Sequence, residues 1–255
     1  PTSKRFPSAH LLQVDERFFL IDCGEGAQVQ LVRFGFNLSR IHQVFISHLH
    51  GDHVFGLFGL LSSMGMMGRK KPLQLIGPGK LEEMMRQHLS FFGPLPFELE
   101  FFVPGSEPGE ICFEDDKLRV SSIPLRHRTT TFGYLFREKE RLLNIRKELI
   151  GTYRLGIEDI ARIKEGNDHV TSGGEVIPND LLTLPPYHTR SYAYLSDTLY
   201  DPGIAPLLKG VDLLFHEATF AGKDEALARE TFHSTAVQAA MMAKESEAGK
   251  LLIGH

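Results

Sequence analysis

The stretch "FISHLHGDH", Phe45 to His53, sets His48, His50, Asp52 and His53 within six residues. Imidazole and carboxylate are the donors that a borderline divalent cation such as Zn²⁺ takes. The same residues could instead move protons, because histidine titrates near neutrality, or could be a polar loop. The spacing argues against the loop. Residues two apart on an extended segment face the same way, so His48 and His50 share one direction. The turn at Gly51 then aims Asp52 and His53 at a second point.

More donors of the same kind end short apolar runs elsewhere: His127 in "IPLRH", Asp197 in "YLSDT" and His255 in "LLIGH". Active sites of α/β sheets form at the carboxyl ends of strands. No thiolate is among these residues, so a closed structural zinc site, normally tetrahedral and thiolate-rich, is not the match. The donors also exceed what one tetrahedral ion needs. Two ions fit better, one His-rich and one mixed, bridged by a carboxylate. Two metals about 3.5–4 Å apart can clamp both the attacking and the leaving oxygen of a phosphoryl displacement.

The elements that would position these residues are legible as runs. "RFFLIDCGEG", "HQVFISHLH", "PLQLIGPG", "KLRVSSIPLRH", "RSYAYLSDT", "VDLLFHEAT" and "KLLIGH" have the length and the β-branched or aromatic content of buried strands. Between them, "LFGLLSSMGMMG", "KLEEMMRQHLSFF", "GIEDIARIKEG" and "HSTAVQAAMMAKESEAG" read as helices. The last takes Ser234 as its N-cap and Gly249 as its stop. Strands interleaved with helices predict an α/β architecture with helices covering the sheets.

Composition sets the frame. The chain has 255 residues, 42% hydrophobic and 24% charged, enough for one large domain or two small ones. A net charge of −4 does not announce a nucleic-acid binder, although binding depends on local basic patches rather than on the sum. Cys23 and Cys112, beside apolar residues, read as buried free thiols in a reducing compartment. No apolar run approaches the roughly 18 residues that cross a membrane, and no leader is visible. The expected location is cytoplasmic. One stretch stands apart: Arg137 to Arg154 holds six Lys or Arg against three Glu, a local charge of +3. A solvated helix with charge pairs is one reading; an excursion presenting basic residues to a polyanion is the other. Arg69, Lys70 and Lys71 form a smaller basic cluster, read as a solvated turn.

At its metal-type residues the chain resembles the metallo-β-lactamase superfamily, and within it the ribonuclease Z family of tRNA 3′-processing endonucleases. "FFLIDCGEGAQVQL", "FISHLHGDHVFGLFGLL", "IPLRHR…FGYLF", "YLSDT", "LLFHEATF", "TFHSTA" and "LLIGH" follow that family's blocks in order, from Phe18 to His255. The "HEAT" and "HST" segments separate this family from general metallohydrolases. The resemblance implies a single domain of the four-layer αββα sandwich type, with an arm inserted at approximately residues 137–186 that grips tRNA. It implies that His48, His50 and His127 bind a first Zn²⁺, that Asp52, His53 and His255 bind a second, and that Asp197 bridges both; Mn²⁺ or Fe could compete. It further implies that Asp52 acts as general base on the attacking water. Glu217 and His233 would pair to deliver a proton to the leaving oxygen, with Asp22 and His216 as supporting residues behind the ligands. A His tuned by a carboxylate suits that last role on independent chemical grounds. Arg141, Arg146, Lys147 and Arg154 are the arm's candidate tRNA contacts, and a homodimer is implied. Many members carry Gly-Pro in the arm, where this chain reads "TYRLGIEDIARIKEG". Against the family pattern, in which a strand and Gly-rich turn lead into Pro1-Thr2 and a short tail follows the last ligand, the chain is expected to be trimmed at both ends.

The resulting expectation is a zinc-dependent endoribonuclease that removes the 3′ trailer of precursor tRNA at or near the discriminator base and leaves a 3′-hydroxyl. One alternative within the fold is another phosphodiesterase, or a thioester or lactam hydrolase, which would not need "HEAT", "HST" or a basic arm. A different class of alternative is a metal scaffold that binds RNA without cutting it. His10, His42, His88, His169 and His188 fall outside the motifs and are expected to be surface or satisfied side chains.

Overall fold

The structure, a computed structural model, describes residues 5–255. The Pro1-Thr2 block lies outside the described residues. The chain divides into two compact units: one of residues up to Glu114 with Val120–Phe136 and Ser191–His255, the other of Asp115–Arg119 with Arg137–Arg190.

The first unit holds two sheets. Strands β1 (His10–Val14), β2 (Arg17–Ile21), β3 (Ile41–Phe45), β4 (Leu73–Ile76) and β5 (Leu99–Phe102) form one sheet in that order. It is parallel from β2 to β5, with β1 added antiparallel. The second sheet runs β15-β14-β13-β8-β7-β6, with β6 at Ile111–Glu114, β7 at Leu118–Leu125, β8 at Thr131–Glu138, β13 at Ser191–Leu195, β14 at Leu213–Glu217 and β15 at Lys250–Gly254. Strands β9 to β12 belong to the other unit.

The period of a strand explains the layers. In β2, Phe18 and Leu20 face one way and Phe19 and Ile21 the other, and all four are buried. Phe18 and Leu20 join Ile41, Val44, Leu73 and Leu75 under helices α1 (Ala27–Arg33), α3 (Gly56–Met66) and α4 (Lys80–Phe92). Phe19 and Phe45 turn to the second sheet, meeting Phe136 at ring-centroid distances of 6.0 and 5.1 Å. The far face of the second sheet packs Ala193, Leu195 and Leu214 against a 3₁₀ segment at Pro202–Leu208 and Met242 of α9 (Ala236–Glu245). This is the expected αββα order. Burying aromatic side chains on both faces supplies roughly 1.5–3 kcal/mol each.

Three local readings are corrected. The cap of α9 is Thr235, whose hydroxyl accepts from Gln238 N at 3.2 Å, not Ser234. Ser234 is spent elsewhere: its hydroxyl donates to Thr198 O at 2.6 Å. Arg69 is not a solvated turn residue. It is buried and donates to Ile41 O, Lys71 O and Pro72 O at 2.6–2.8 Å, tying the end of α3 to the entry of β4. Nor is Arg137–Arg154 one helix. It splits into the end of β8, the short strand β9 (Asn144–Ile145) and helix α5 (Lys147–Thr152).

The second unit has its own small core of Leu155, Ile163, Ile177 and Leu182. Around it lie α5, α6 (Ile157–Lys164), β10 (His169–Val170), β11 (Val176–Ile177), α7 (Asn179–Leu182) and β12 (Thr183–Leu184). Its closing residues are pinned by Glu138, which accepts from Arg190 N at 2.9 Å and from the Arg190 guanidinium at 2.8 Å.

Candidate metal centre

The donors named from the sequence converge at the carboxyl ends of β3, β7, β13, β14 and β15. His48 and His50 follow β3, and Asp52 and His53 lie on the single helical turn α2 (Gly51–Val54). The approach of α2 and α3 to the loop after β2 is fixed by backbone contact. Gly56 N donates to Cys23 O at 2.8 Å, and a Cβ on Gly56 would stand 1.9 Å from Gly24 O. Register sets the opposite rim. Leu195 pairs with His216 and Glu217 pairs with Gly254, so Asp197, Glu217 and His255 emerge at one level.

Asp197 stands at the centre and is buried. Its Oδ2 lies 3.5 Å from His48 Nε2 and 3.9 Å from His127 Nε2. Its Oδ1 lies 3.6 Å from His53 Nε2 and 3.7 Å from His255 Nε2. One carboxylate therefore turns one oxygen to each of two donor sets: His48, His50 and His127 on one side, and Asp52, His53 and His255 on the other. His48 Nε2 and His50 Nδ1 are 3.0 Å apart, and Asp52 Oδ2 is 3.8 Å from both His53 Nε2 and His255 Nε2. Ligands 2.0–2.2 Å from a tetrahedral ion stand roughly 3.3–3.6 Å from one another, close to these spacings. The Nε2 atoms of His53 and His127 are buried without a hydrogen-bond partner and belong to these donor sets, a costly state that a cation would relieve; His216 Nε2 is orphaned too but lies outside the sets. The donor set, its spacing and these orphaned atoms fit a metal.

Three of these candidate donors, His53, His127 and His255, are held from behind, as metal-binding side chains commonly are. His53 Nδ1 donates to Asp22 Oδ2 at 2.7 Å. Asp22, buried at a left-handed φ of 56°, also accepts from Ser47 N, Ser47 Oγ and Tyr194 OH at 2.6–2.9 Å. His127 Nδ1 donates to Phe232 O at 2.8 Å. Phe232 itself sits at φ 62°, a conformation bulky residues seldom adopt. His255 Nδ1 contacts Thr219 Oγ1. The electrostatics differ between the two sets. Burial pushes His48 down to about 3, so it is a neutral donor at neutral pH. Burial also pushes His53 down, but the Asp22 carboxylate more than reverses this and raises it to about 9. The hydrogen bond with His255 holds Asp52 well below the usual carboxylate range.

A second cluster touches the first. Glu217 is buried, and its carboxylate accepts five hydrogen bonds: from Thr198 N, Thr219 N, Thr219 Oγ1, Ser234 N and His233 Nδ1, at 2.8–3.2 Å. Burial alone would raise its pKa, but the bonds from His233 and Thr219 bring it below the ordinary value. His233 Nδ1 is thereby fixed 3.1 Å from Glu217 Oε1 and 3.9 Å from Asp197 Oδ2. His216 turns away from this cluster: its Nδ1 donates to its neighbour's carbonyl, Glu217 O, at 2.7 Å. Sequence reasoning missed Thr219, which links Glu217, His233 and His255, and missed Ser47, which braces Asp22. Their motifs, "HEAT" and "FISH", were quoted, but a hydroxyl carries no distinctive signal on its own.

Residues outside the motifs are used structurally. His10 packs its ring at 4.3 Å on Phe215, and His88 stacks at 4.2 Å on Phe58. Cys23 and Cys112 are buried free thiols, and burial pushes Cys112 up to about 12. No helix among the described residues is long and apolar enough to cross a membrane.

Comparison with known proteins gives three results. A family model described as "Anti-Pycsar protein Apyc1" matches residues 1–91. Curated relatives are similar over the whole chain. Ribonuclease Z of Bacteroides thetaiotaomicron is 45% identical, covering 100% of this chain and 81% of the relative. Ribonuclease Z of Parabacteroides distasonis is 46% identical, covering 100% and 84%. Among solved structures, the short form of human tRNase Z superposes with a TM-score of 0.73 at 26% identity, covering 100% of this chain and 88% of that one. A metallo-β-lactamase fold protein of Bacillus subtilis, at TM-score 0.67 and 18% identity, covers 100% and 80% and shares the fold.

Proposed function

Since the chain belongs to the ribonuclease Z family, we infer that it is a metal-dependent endoribonuclease of the metallo-β-lactamase fold that removes the 3′ trailer of precursor tRNA, cutting at or near the discriminator base and leaving a 3′-hydroxyl. The observation that carries the reading is Asp197. Its two oxygens face two donor sets, and one of them also lies 3.9 Å from the His of a Glu–His pair.

The further assignments are our own. His48, His50, His127 and Asp197 would hold one ion, and Asp52, His53, His255 and Asp197 a second. Zn²⁺ suits this nitrogen and oxygen set, and Mn²⁺ or Fe are competitors. When bound, the metals supply Lewis acidity: they lower the pKa of a water and neutralise charge gathering on the phosphoryl oxygens. Asp52, ionised and with a half-exposed side chain, takes a proton from the attacking water. His233, its Nδ1 engaged by Glu217, gives a proton from Nε2 to the departing ribose oxygen. The bond from water oxygen to phosphorus forms as the bond from phosphorus to the 3′ oxygen breaks, giving a 3′-hydroxyl and a 5′-phosphate. The second unit would serve as the tRNA-binding arm. Of its four candidate contacts, Arg141 is paired with Glu138 and Arg146 donates to Thr183 O, so the exposed Lys147 and Arg154 are the better phosphate ligands. A homodimer and a cytoplasmic location complete the proposal.

Two experiments test it. Asp52→Ala should bind precursor tRNA within about threefold of wild type while cleavage falls by roughly 10²–10⁴-fold. If both bind alike and neither cuts in metal-replete buffer, the protein is an RNA-binding scaffold. The second concerns protons. A group raised to about 9 carries its proton at pH 7, and metal must displace it. Titrating the metal-free protein with Zn²⁺ at pH 7 should therefore release a proton from His53, and affinity should rise with pH until about 9. Uptake without proton release would contradict the ligand role of His53.

A further inference from the structure

Beside His233 lies a cavity of about 250 Å³ lined by Arg126, Leu199, Tyr200, Glu225, Arg229 and Gln238 together with His233. We propose that this cavity is the subsite for the last nucleotide retained on the mature tRNA, with Arg126 and Arg229 gripping the phosphodiester on the 5′ side of that nucleotide.

This rests on the cleavage reading above and extends it by direction. The product keeps a 3′-hydroxyl, so the oxygen that leaves phosphorus belongs to the retained RNA. The group that protonates that oxygen must therefore stand on the retained side. His233 is that group, and the cavity that shares its ring is where the departing ribose continues towards its own 5′ phosphate. A phosphate there needs cations, and two guanidiniums line the cavity. Both are exposed at their tips yet built on fixed backbone. Arg126 N donates to Thr198 Oγ1 at 3.1 Å, and Leu199 N donates to Arg126 O at 2.8 Å, which locks Arg126 to the Asp197 segment. Arg229 projects from α8 (Glu225–Thr231), and the neighbouring Ala228 O accepts from His233 N at 2.8 Å. Neither arginine is committed to a strong partner. Arg126 stands 3.9 Å from Asp201, the limit of an ion pair, and Arg229 has no carboxylate in ion-pair reach among the described residues. Exposed pairs of this kind contribute little and exchange readily for a phosphate.

The remaining walls suit a nucleotide. Tyr200 has its hydroxyl engaged by Glu245 Oε1 at 2.7 Å, which holds its ring in place as a surface on which a base or ribose can rest. The cavity's one carboxylate, Glu225, accepts from Gln238 Nε2 at 3.2 Å and keeps further lone pairs as acceptors for a ribose hydroxyl or a base amine. A trailer phosphate would not select this cavity, because the trailer stays on phosphorus while the His233 side departs.

The test is a substrate–protein cycle. Precursor tRNAs carrying a single neutral methylphosphonate, placed at each linkage on either side of the cut in turn, are cleaved by wild type, Arg126→Ala, Arg229→Ala and Arg229→Lys. Wild type should lose about tenfold in kcat/KM only when the neutral linkage is the one 5′ of the last retained nucleotide. The two alanine variants should lose about tenfold on the unmodified substrate, mostly through KM, and then be indifferent, within about twofold, to that linkage. Arg229→Lys should restore most of the sensitivity, since a phosphate accepts a point charge. A neutral linkage that costs the variants as much as the wild type, or a coupling that maps to a trailer phosphate, overturns the subsite. Failure of the wild type to cut the unmodified tRNA overturns the cleavage reading itself and the subsite with it.

Discussion

Asp197→Ala is expected to lose metal from both donor sets at once and to lower cleavage by roughly 10⁴-fold or more, equivalent to about 5.5 kcal/mol of transition-state stabilisation. The reason is topological. Most ligands face one set; Asp197 divides its oxygens, with Oδ2 3.5 Å from His48 and Oδ1 3.6 Å from His53. Removing it leaves neutral His48 without its anionic partner and takes from His53 and His255 the carboxylate that lies between them. Asp197→Asn keeps the shape and one oxygen but not the charge, so it should retain more metal than Ala while remaining far below wild type. The check is elemental analysis of purified variants alongside single-turnover cleavage, with circular dichroism to establish folding. A folded Asp197→Ala protein with wild-type metal content would show that the two sets do not share this carboxylate.

His233→Ala should lower kcat by roughly 10²–10³-fold with little change in KM or metal content, the pattern of a group that acts only as the bond breaks. The chemistry gives a sharper readout than the magnitude. A departing alkoxide needs a proton, and a departing thiolate does not. On a precursor whose scissile 3′ oxygen is replaced by sulfur, the His233→Ala defect should shrink to within about tenfold. A defect of equal size on both substrates would make His233 a metal ligand beside Asp197, 3.9 Å away, or a structural residue. Glu217→Gln should fall between wild type and His233→Ala. The amide keeps the shape of the buried side chain but lacks the charge that steadies a protonated His233, and its NH2 cannot accept the bonds that one carboxylate oxygen takes, so circular dichroism must show it folded.

The site was more legible than its supports. The histidines and aspartates at strand ends could be read because few residue types bind metals, and because strand ends are where α/β sheets place function. Asp22 could be read from its motif, and its four hydrogen bonds give it a place behind His53. What could not be read is carried by backbone atoms. The Phe232 carbonyl that orients His127 has no sequence signature, because any residue offers a carbonyl, and the left-handed turn that aims it is not one that phenylalanine advertises. Thr235 displaced Ser234 as the cap of α9 for a similar reason: two adjacent hydroxyls have equal local merit, and the long-range bond from Ser234 to Thr198 O decided between them. Arg69 was misread because a guanidinium in a basic triplet looks solvated until three carbonyls are found around it. The stretch from Arg137 shows the limit of charge patterning. Its pairs suggested one helix, yet β8 and β9 claim its first half through sheet pairing.

The measurement that tests the central claim most directly is end-group mapping of a precursor tRNA with a 3′ trailer after incubation with the metal-loaded protein. A single cut at or near the discriminator base should appear, abolished by chelation, with a 3′-hydroxyl on the tRNA and a 5′-phosphate on the trailer. A 2′,3′-cyclic phosphate on the tRNA would mean that the ribose hydroxyl, not water, attacks. That result, or an uncut precursor with metal fully loaded, would contradict the account.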